Sequence, residues 1–283
     1  MAELTFPARV AASLHAWLGQ PPPPVKNVKS LHCQDLSVGY HPQTLIQQGI
    51  DARFEAGKLY ALLGENGSGK SCLLKTLAGL LPALHGSLTL TTSEQGAVPV
   101  HLASTEQRQL AIEKRAAWQG YLEQQPVVHW GITVRQVVAL AAFARKDWSQ
   151  QQAAQAIEEA LLACDCMALA ERSVLQISAG ERQRVMLARV LAAKPGVIMV
   201  DEPTAGLDPR HQHAVMGLLR EQTARGTMVI CVMHDIALTR TYCDAAMLLE
   251  KTESAPAASA TELGPVSDIL TTERVRRVFG IAG

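Results

Sequence analysis

Short aliphatic and β-branched runs that alternate with helical stretches predict an α/β fold with a mainly parallel sheet, covered on both faces. Three runs carry this reading. Residues 197–200 and 228–233 are continuously apolar and of strand length, and residues 58–63 form a third run that ends in a glycine-rich loop. Along the chain, residues 31–38 read as an edge strand and 58–63 as a buried one. Residues 71–78 follow as a helix, with Gly79 and Pro82 as stop signals. Residues 149–170, rich in alanine, glutamate and glutamine, read as one helix and 180–193 as the next. Residues 211–225 form a helix between the last two buried strands. Residues 253–262, rich in Ala, Ser, Thr and Glu, read as a flexible surface excursion.

Residues 1–28 stand apart as an extension. Val10, Leu14, Trp17 and Leu18 fall on one face of a short helix, and the proline run at 21–24 imposes an extended linker. A locally packing tail is preferred over a membrane-surface anchor, because the stretch lacks a basic face. The extension also lacks the lysine-rich start and unbroken apolar run of a secretory signal.

The 283 residues suffice for one large domain with a subdomain. Lysine plus arginine equals aspartate plus glutamate at 26 each, which argues against a partner bound through a strongly basic surface, nucleic acid above all. No stretch approaches the ~20 apolar residues that span a bilayer. The six cysteines at 33, 72, 164, 166, 231 and 243 read as reduced, mostly buried thiols of a cytosolic protein. Cys164 and Cys166 have no second pair or histidine at ligand spacing, so no metal site is assigned to them.

The segment Gly64, Glu65, Asn66, Gly67, Ser68, Gly69, Lys70, Ser71 matches the phosphate-binding loop, between a predicted strand and a predicted helix as that loop requires. Its glycines let successive N–H groups turn inward around a β-phosphate, where the helix N-terminus adds its positive end. Lys70 supplies a cation for the β- and γ-phosphates, and the Ser71 hydroxyl is a ligand for Mg²⁺. Residues 197–200 run straight into Asp201 and Glu202. Ligands of parallel sheets bind beyond the carboxyl ends of the strands, which puts both carboxylates beside the phosphate loop. Asp201 is placed to hold Mg²⁺, and Glu202 to act as general base on the attacking water. The strand at 228–233 delivers His234 to the same rim, to contact the γ-phosphate and orient the water. His211 and His213, two apart on a helix, point away from each other and receive no role.

These residues resemble the ABC-transporter ATPases over roughly residues 31–283. Ile177, Ser178, Ala179, Gly180, Glu181, Arg182, Gln183 and Arg184 look like that family's signature sequence. The resemblance implies a helix whose N-terminus faces the γ-phosphate bound by a second copy. Tyr40 looks like the aromatic that stacks on adenine, and Gln124 like the glutamine that senses Mg²⁺ and the membrane partner. Ala205, Gly206, Leu207 and Asp208 look like the loop that crosses the dimer interface. The implied fold is a phosphate-loop NTPase of ABC type, with an N-terminal antiparallel β subdomain and a helical signature subdomain at about 125–190 within a domain at 29–283. Two departures stand out. Ala179 replaces a glycine, at a cost of ~1 kcal/mol if that backbone needs a positive φ. Cys72 replaces the usual threonine after Ser71 and should pack against the core. With Glu202 and His234 in place, the chain does not read as a degenerate, non-hydrolysing copy.

The stretch 131–138, residues 207–214 and the ending 267–281 resemble the ATPases of importers for iron complexes, haem or cobalamin. The resemblance implies ATP and Mg²⁺, a homodimer, two polytopic permease subunits, a solute-binding protein reached indirectly, and a peripheral place on the cytoplasmic face of the inner membrane. The competing readings are a transporter of another cargo and a non-transport ABC ATPase acting on nucleic acid or ribosomes. The second fits poorly, because the interval from Gln124 to Ile177 has no room for a long coiled coil and the chain holds one such domain. A phosphate-loop kinase would need neither the signature nor His234, and a purely regulatory ATP-binding module would be expected to lose Glu202.

Overall fold

The computed structural model describes residues 28–40, 44–93, 96–100, 118–124, 131–145, 147–251 and 262–279. The extension before Val28, most of 253–262 and the last residues of the ending lie outside them. In chain order the elements are β1 (Val28–Gly39), β2 (Leu45–Glu55), β3 (Leu59–Gly64), α1 (Lys70–Leu77), β4 (His85–Thr92), β5 (Gly96–Pro99) and β6 (Gln119–Leu122). Then come α2 (Val134–Phe143), α3 (Gln150–Ala163), α4 (Ala179–Ala192), β7 (Val197–Asp201), α5 (Pro209–Ala224) and β8 (Met228–Val232). The chain closes with α6 (Ile236–Tyr242), β9 (Ala245–Leu249), β10 (Leu263–Pro265), α7 (Val266–Ile269) and α8 (Thr272–Phe279). They form two compact units, one from the described residues of Lys26–Gln124, Gly196–Pro203 and Leu219–Gly283, the other from those of Gln125–Pro195 and Thr204–Leu218.

The first unit holds two sheets. One is antiparallel with strand order β2-β1-β4-β5, and the other is six-stranded with order β10-β9-β3-β8-β7-β6. In the second sheet β9, β3, β8, β7 and β6 run parallel, and only β10 is antiparallel. Every residue of β3, β7 and β8 is buried, as their unbroken apolar runs require of strands covered on both faces. Helix α1 contacts β1 of one sheet and β3, β7 and β8 of the other. Its Cys72, Leu73, Leu74 and Leu77 sink into the main hydrophobic cluster. Cys72, at 1% exposure, packs as a small apolar residue, as its place after Ser71 led us to expect.

Two sequence expectations are corrected. Residues 31–38 are not an edge strand: β1 pairs with β2 on one side and β4 on the other. Its Gln34 and Asp35 are exposed although the strand lies inside the sheet, which in sequence looks like an exposed edge. The helix read at 149–170 ends at Ala163, because Asp165 turns into the left-handed region at φ 54 and a 3₁₀ turn, Met167–Leu169, follows.

The second unit is a packed trio, α2, α3 and α4. Each helix starts with the same local device. Thr133, Ser149 and Ser178 cap the backbone N–H three residues on, and Gln136, Gln152 and Glu181 reach back to the cap's own N–H. Apolar residues at helical spacing then face inward: Val134, Val137 and Val138 on α2, Ala156, Ile157 and Leu161 on α3, Val185 and Ala188 on α4. Cys164 and Cys166 are buried here, with Cys166 Sγ donating to the Cys164 carbonyl at 3.3 Å, and burial pushes the Cys166 thiol up to about 12.

Candidate active site

In the parallel sheet β3, β8, β7 and β6 lie side by side, and each delivers residues singled out from the sequence. The phosphate loop follows β3, His234 follows β8, Asp201 and Glu202 close β7, and Gln124 follows β6. Two of the loop's positive-φ glycines also have no room for a Cβ. Gly64 has φ 146, and a Cβ there would lie 2.3 Å from the Leu249 carbonyl oxygen and 2.6 Å from Ser68 Oγ. Gly69, the N-cap of α1, has φ 94, and its Cβ would lie 2.6 Å from Ile46 Cγ2. Glu65, Asn66 and Gly67 form the outer part of the loop, with Asn66 and Gly67 exposed. The Lys70 amine is curled into the loop and donates to the carbonyl oxygens of Gly64 at 2.9 Å and Glu65 at 2.8 Å. Lys70 is only 6% exposed, and burial lowers its pKa against the pull of Glu202, Asp201 and Glu65. Ser68 is buried as well, and its hydroxyl has no hydrogen-bond partner among the described residues. A buried ammonium beside an unpartnered hydroxyl suits an anion that supplies acceptors.

Ser71 Oγ donates to Asp201 Oδ1 at 3.0 Å. Burial raises the Asp201 carboxyl, partly offset by the Ser71 hydrogen bond, and the nearby Glu202 raises it further. A hydroxyl oxygen beside a desolvated carboxylate is a hard-oxygen pair that fits Mg²⁺, which takes one or two protein oxygens and completes its shell with water and phosphate. Glu202 has φ 52, and its N–H reaches the Val232 carbonyl at 3.2 Å, extending the β7–β8 ladder by one bond. Its two carboxylate oxygens are both engaged at 2.6 Å, Oε1 with His234 Nε2 and Oε2 with the Gln124 amide, which donates. The structure therefore brings Gln124, Glu202 and His234 together around one carboxylate. Tyr40, directly after β1, is 51% exposed, and burial and then the charges of Cys72 and Asp201 raise its phenol.

Ser178, Ala179, Gly180 and Asp208 belong to the helical unit. Ser178 is the N-cap of α4 and accepts from the Glu181 N–H at 3.3 Å, while Glu181 accepts from the Ser178 N–H at 2.7 Å. Ala179 is the first helical residue and has no positive φ, so the strain considered for an alanine at this position does not arise. Asp208 accepts from the N–H groups of Arg210 and His211 at 3.0 and 3.1 Å, and its second oxygen lies 2.5 Å from His211 Nδ1. These bonds hold its carboxyl below the usual range. His211 thus serves to orient Asp208, a role its sequence position did not reveal.

Sequence reasoning missed Gln47. Its amide donates to the carbonyl oxygens of Ser68 at 2.9 Å and Glu250 at 2.7 Å, bracing the phosphate loop from β2. The residue is 2% exposed, and a glutamine at an inward position of a strand was the one available signal.

A family model described as ABC transporter matches residues 47–205. The chain belongs to the ABC transporter family. The hemin import ATP-binding protein HmuV of Rhodococcus jostii (strain RHA1) is 37% identical over 92% of this chain and 83% of its own length. The achromobactin transport ATP-binding protein CbrD of Dickeya dadantii (strain 3937) is 36% identical over 88% and 87%. Among solved structures, one described as the ATP binding subunit of an ABC transporter superposes with a TM-score of 0.70 at 25% identity, covering 89% of this chain and 94% of the other. That of cbiO1 from Clostridium perfringens, part of the ABC transporter complex cbiONQ, gives 0.70 at 26% identity over 87% and 92%. This ABC chain is an ATP-binding, ATP-hydrolysing transporter subunit. Among its described residues no helix is long and apolar enough to cross a membrane.

Proposed function

We propose that this ATPase powers import of haem or another iron complex, as a pair of identical subunits beneath two polytopic permease subunits on the cytoplasmic membrane face, with a solute-binding protein supplying the cargo. The observation that carries the cargo class is the likeness to proteins named for hemin import and achromobactin transport, which spans 88–92% of the chain in the two cited above.

In this reading ATP seats its phosphates in the loop 64–71, and the Lys70 amine leaves the Gly64 and Glu65 carbonyls for the β- and γ-phosphates. Tyr40 stacks on the adenine. Ser71 and Asp201 would hold Mg²⁺, with Gln124 beside them; when bound, the ion neutralises charge on the phosphates. Glu202 accepts the proton of the water that attacks the γ-phosphorus, and the bond to the ADP oxygen breaks. His234, bonded to Glu202, orients that carboxylate and the water. The second copy contributes the N–H groups at Ser178–Gly180 and the loop ending in Asp208, so ATP favours the closed pair and hydrolysis releases it.

The test is to purify tagged Glu202→Gln protein from native membranes in ATP and identify its companions. A polytopic permease, with a solute-binding protein that binds haem or a ferric complex, supports the reading. Ribosomes or DNA-associated proteins without a membrane partner would overturn it.

A further inference from the structure

We propose that the Tyr121 hydroxyl is a positioning donor for the magnesium site. When nucleotide and cation enter, it hydrogen-bonds Asp201, or a water of the cation's shell beside Asp201, and fixes that carboxylate. The proposal rests on the reading of Ser71 and Asp201 as the cation's ligands.

Two registers place Tyr121. On β6, Gln119 donates from its amide to the Ala78 carbonyl at the end of α1, at 2.6 Å, so this face of the strand looks onto that helix. Tyr121 is the next residue on the same face. Two residues advance a strand by about 6.6 Å, which corresponds to about four residues back along α1, from Ala78 towards the first turn that carries Ser71. Across the sheet, Tyr121 pairs in parallel with Met199, and Asp201 is the next residue on Met199's face. The tyrosine ring packs against the hydrophobic cluster that contains Met199 and Cys72.

The hydroxyl is sealed from solvent and has no hydrogen-bond partner among the described residues. A ring needed for packing alone would be a phenylalanine, and a sealed phenol without a partner calls for an explanation. A phenol is protonated at neutral pH and can donate. In the structure Asp201 Oδ1 accepts from the Ser71 hydroxyl. A cation that takes both Ser71 and Asp201 breaks that bond, and ligand carboxylates are held in place by donors one layer out.

The test compares full-length wild type with Tyr121→Phe in two readouts that need no hydrolysis. The first is the melting temperature of the protein without nucleotide, which should not fall, since the hydroxyl makes no bond to a described residue. The second is affinity for a non-hydrolysable ATP analogue with Mg²⁺ and with EDTA. The Mg²⁺-dependent gain should shrink about tenfold in the variant, with affinity in EDTA unchanged. An equal gain in both proteins, an equal loss with and without Mg²⁺, or a lower melting temperature in the free variant would overturn the proposal. A wild type whose affinity ignores Mg²⁺ would overturn the cation site itself, and the proposal with it.

Discussion

The two helix N-termini that the proposed function assigns to phosphate are built in opposite ways. Helix α1 starts at Gly69, which has no side chain to cap the helix and a φ of 94, so its first N–H groups face the loop uncovered. That arrangement is held by contacts far apart in sequence: Gln47 from β2 onto Ser68, and the close packing of Gly64 on Leu249. Helix α4 starts at Ser178, which closes a reciprocal pair with Glu181 three residues away. The first end is kept open by tertiary structure, and the second is set by four consecutive residues. Substitutions should therefore be punishing at the first and mild at the second.

The largest effect is expected at the first end. Lys70→Ala removes the buried ammonium that donates into the loop, and ATP affinity should fall about 100-fold, equivalent to ~3 kcal/mol of charge-assisted hydrogen bonding; titration calorimetry checks this, and an unchanged affinity would leave the loop without its main anchor. A second effect separates function from stability. The Asp201 carboxyl is raised by burial above its unfolded value. The folded state then binds the proton more tightly, so the stabilisation is fully present below the unfolded pKa and is lost as pH rises through the folded one. Asp201→Asn should therefore melt at a higher temperature than wild type near pH 7.5, with the gap closing towards pH 4, while losing Mg²⁺-dependent turnover. A variant less stable than wild type at pH 7.5 would contradict the burial argument. The smallest effect lies at the second end. Ala179 has no positive φ, so Ala179→Gly relieves nothing. Turnover should stay within about twofold, with a loss of at most about 1 kcal/mol from added chain freedom in the unfolded state; steady-state phosphate release and a denaturant melt decide it.

The same contrast explains what the sequence made legible. The phosphate loop, the carboxylates after residue 200 and His234 could be read because buried parallel strands are unbroken apolar runs, and their carboxyl ends converge on one edge. The reciprocal cap of Ser178 and Glu181 went unread although it spans only four residues, because Ser178 was singled out through the signature resemblance alone. Gln47, Tyr121 and the inner position of β1 depend on which strand lies beside which, and a strand's own residues do not record its neighbours. His211 was set aside because helical spacing separates it from His213, although its partner, Asp208, lies just before the helix. The break at Asp165 escaped notice because alanine-rich helical composition runs up to the residue that turns.

Four neighbouring strand ends converge on Glu202, whose oxygens meet His234 and Gln124 at 2.6 Å, and in the proposed function this is the hydrolytic site. The direct test is to measure ATP binding and single-turnover hydrolysis of Glu202→Gln beside wild type. Glutamine keeps the shape of the side chain but cannot accept the water's proton. ATP affinity should stay within about threefold while hydrolysis slows by about 100-fold or more. Wild-type hydrolysis in that variant would contradict the account.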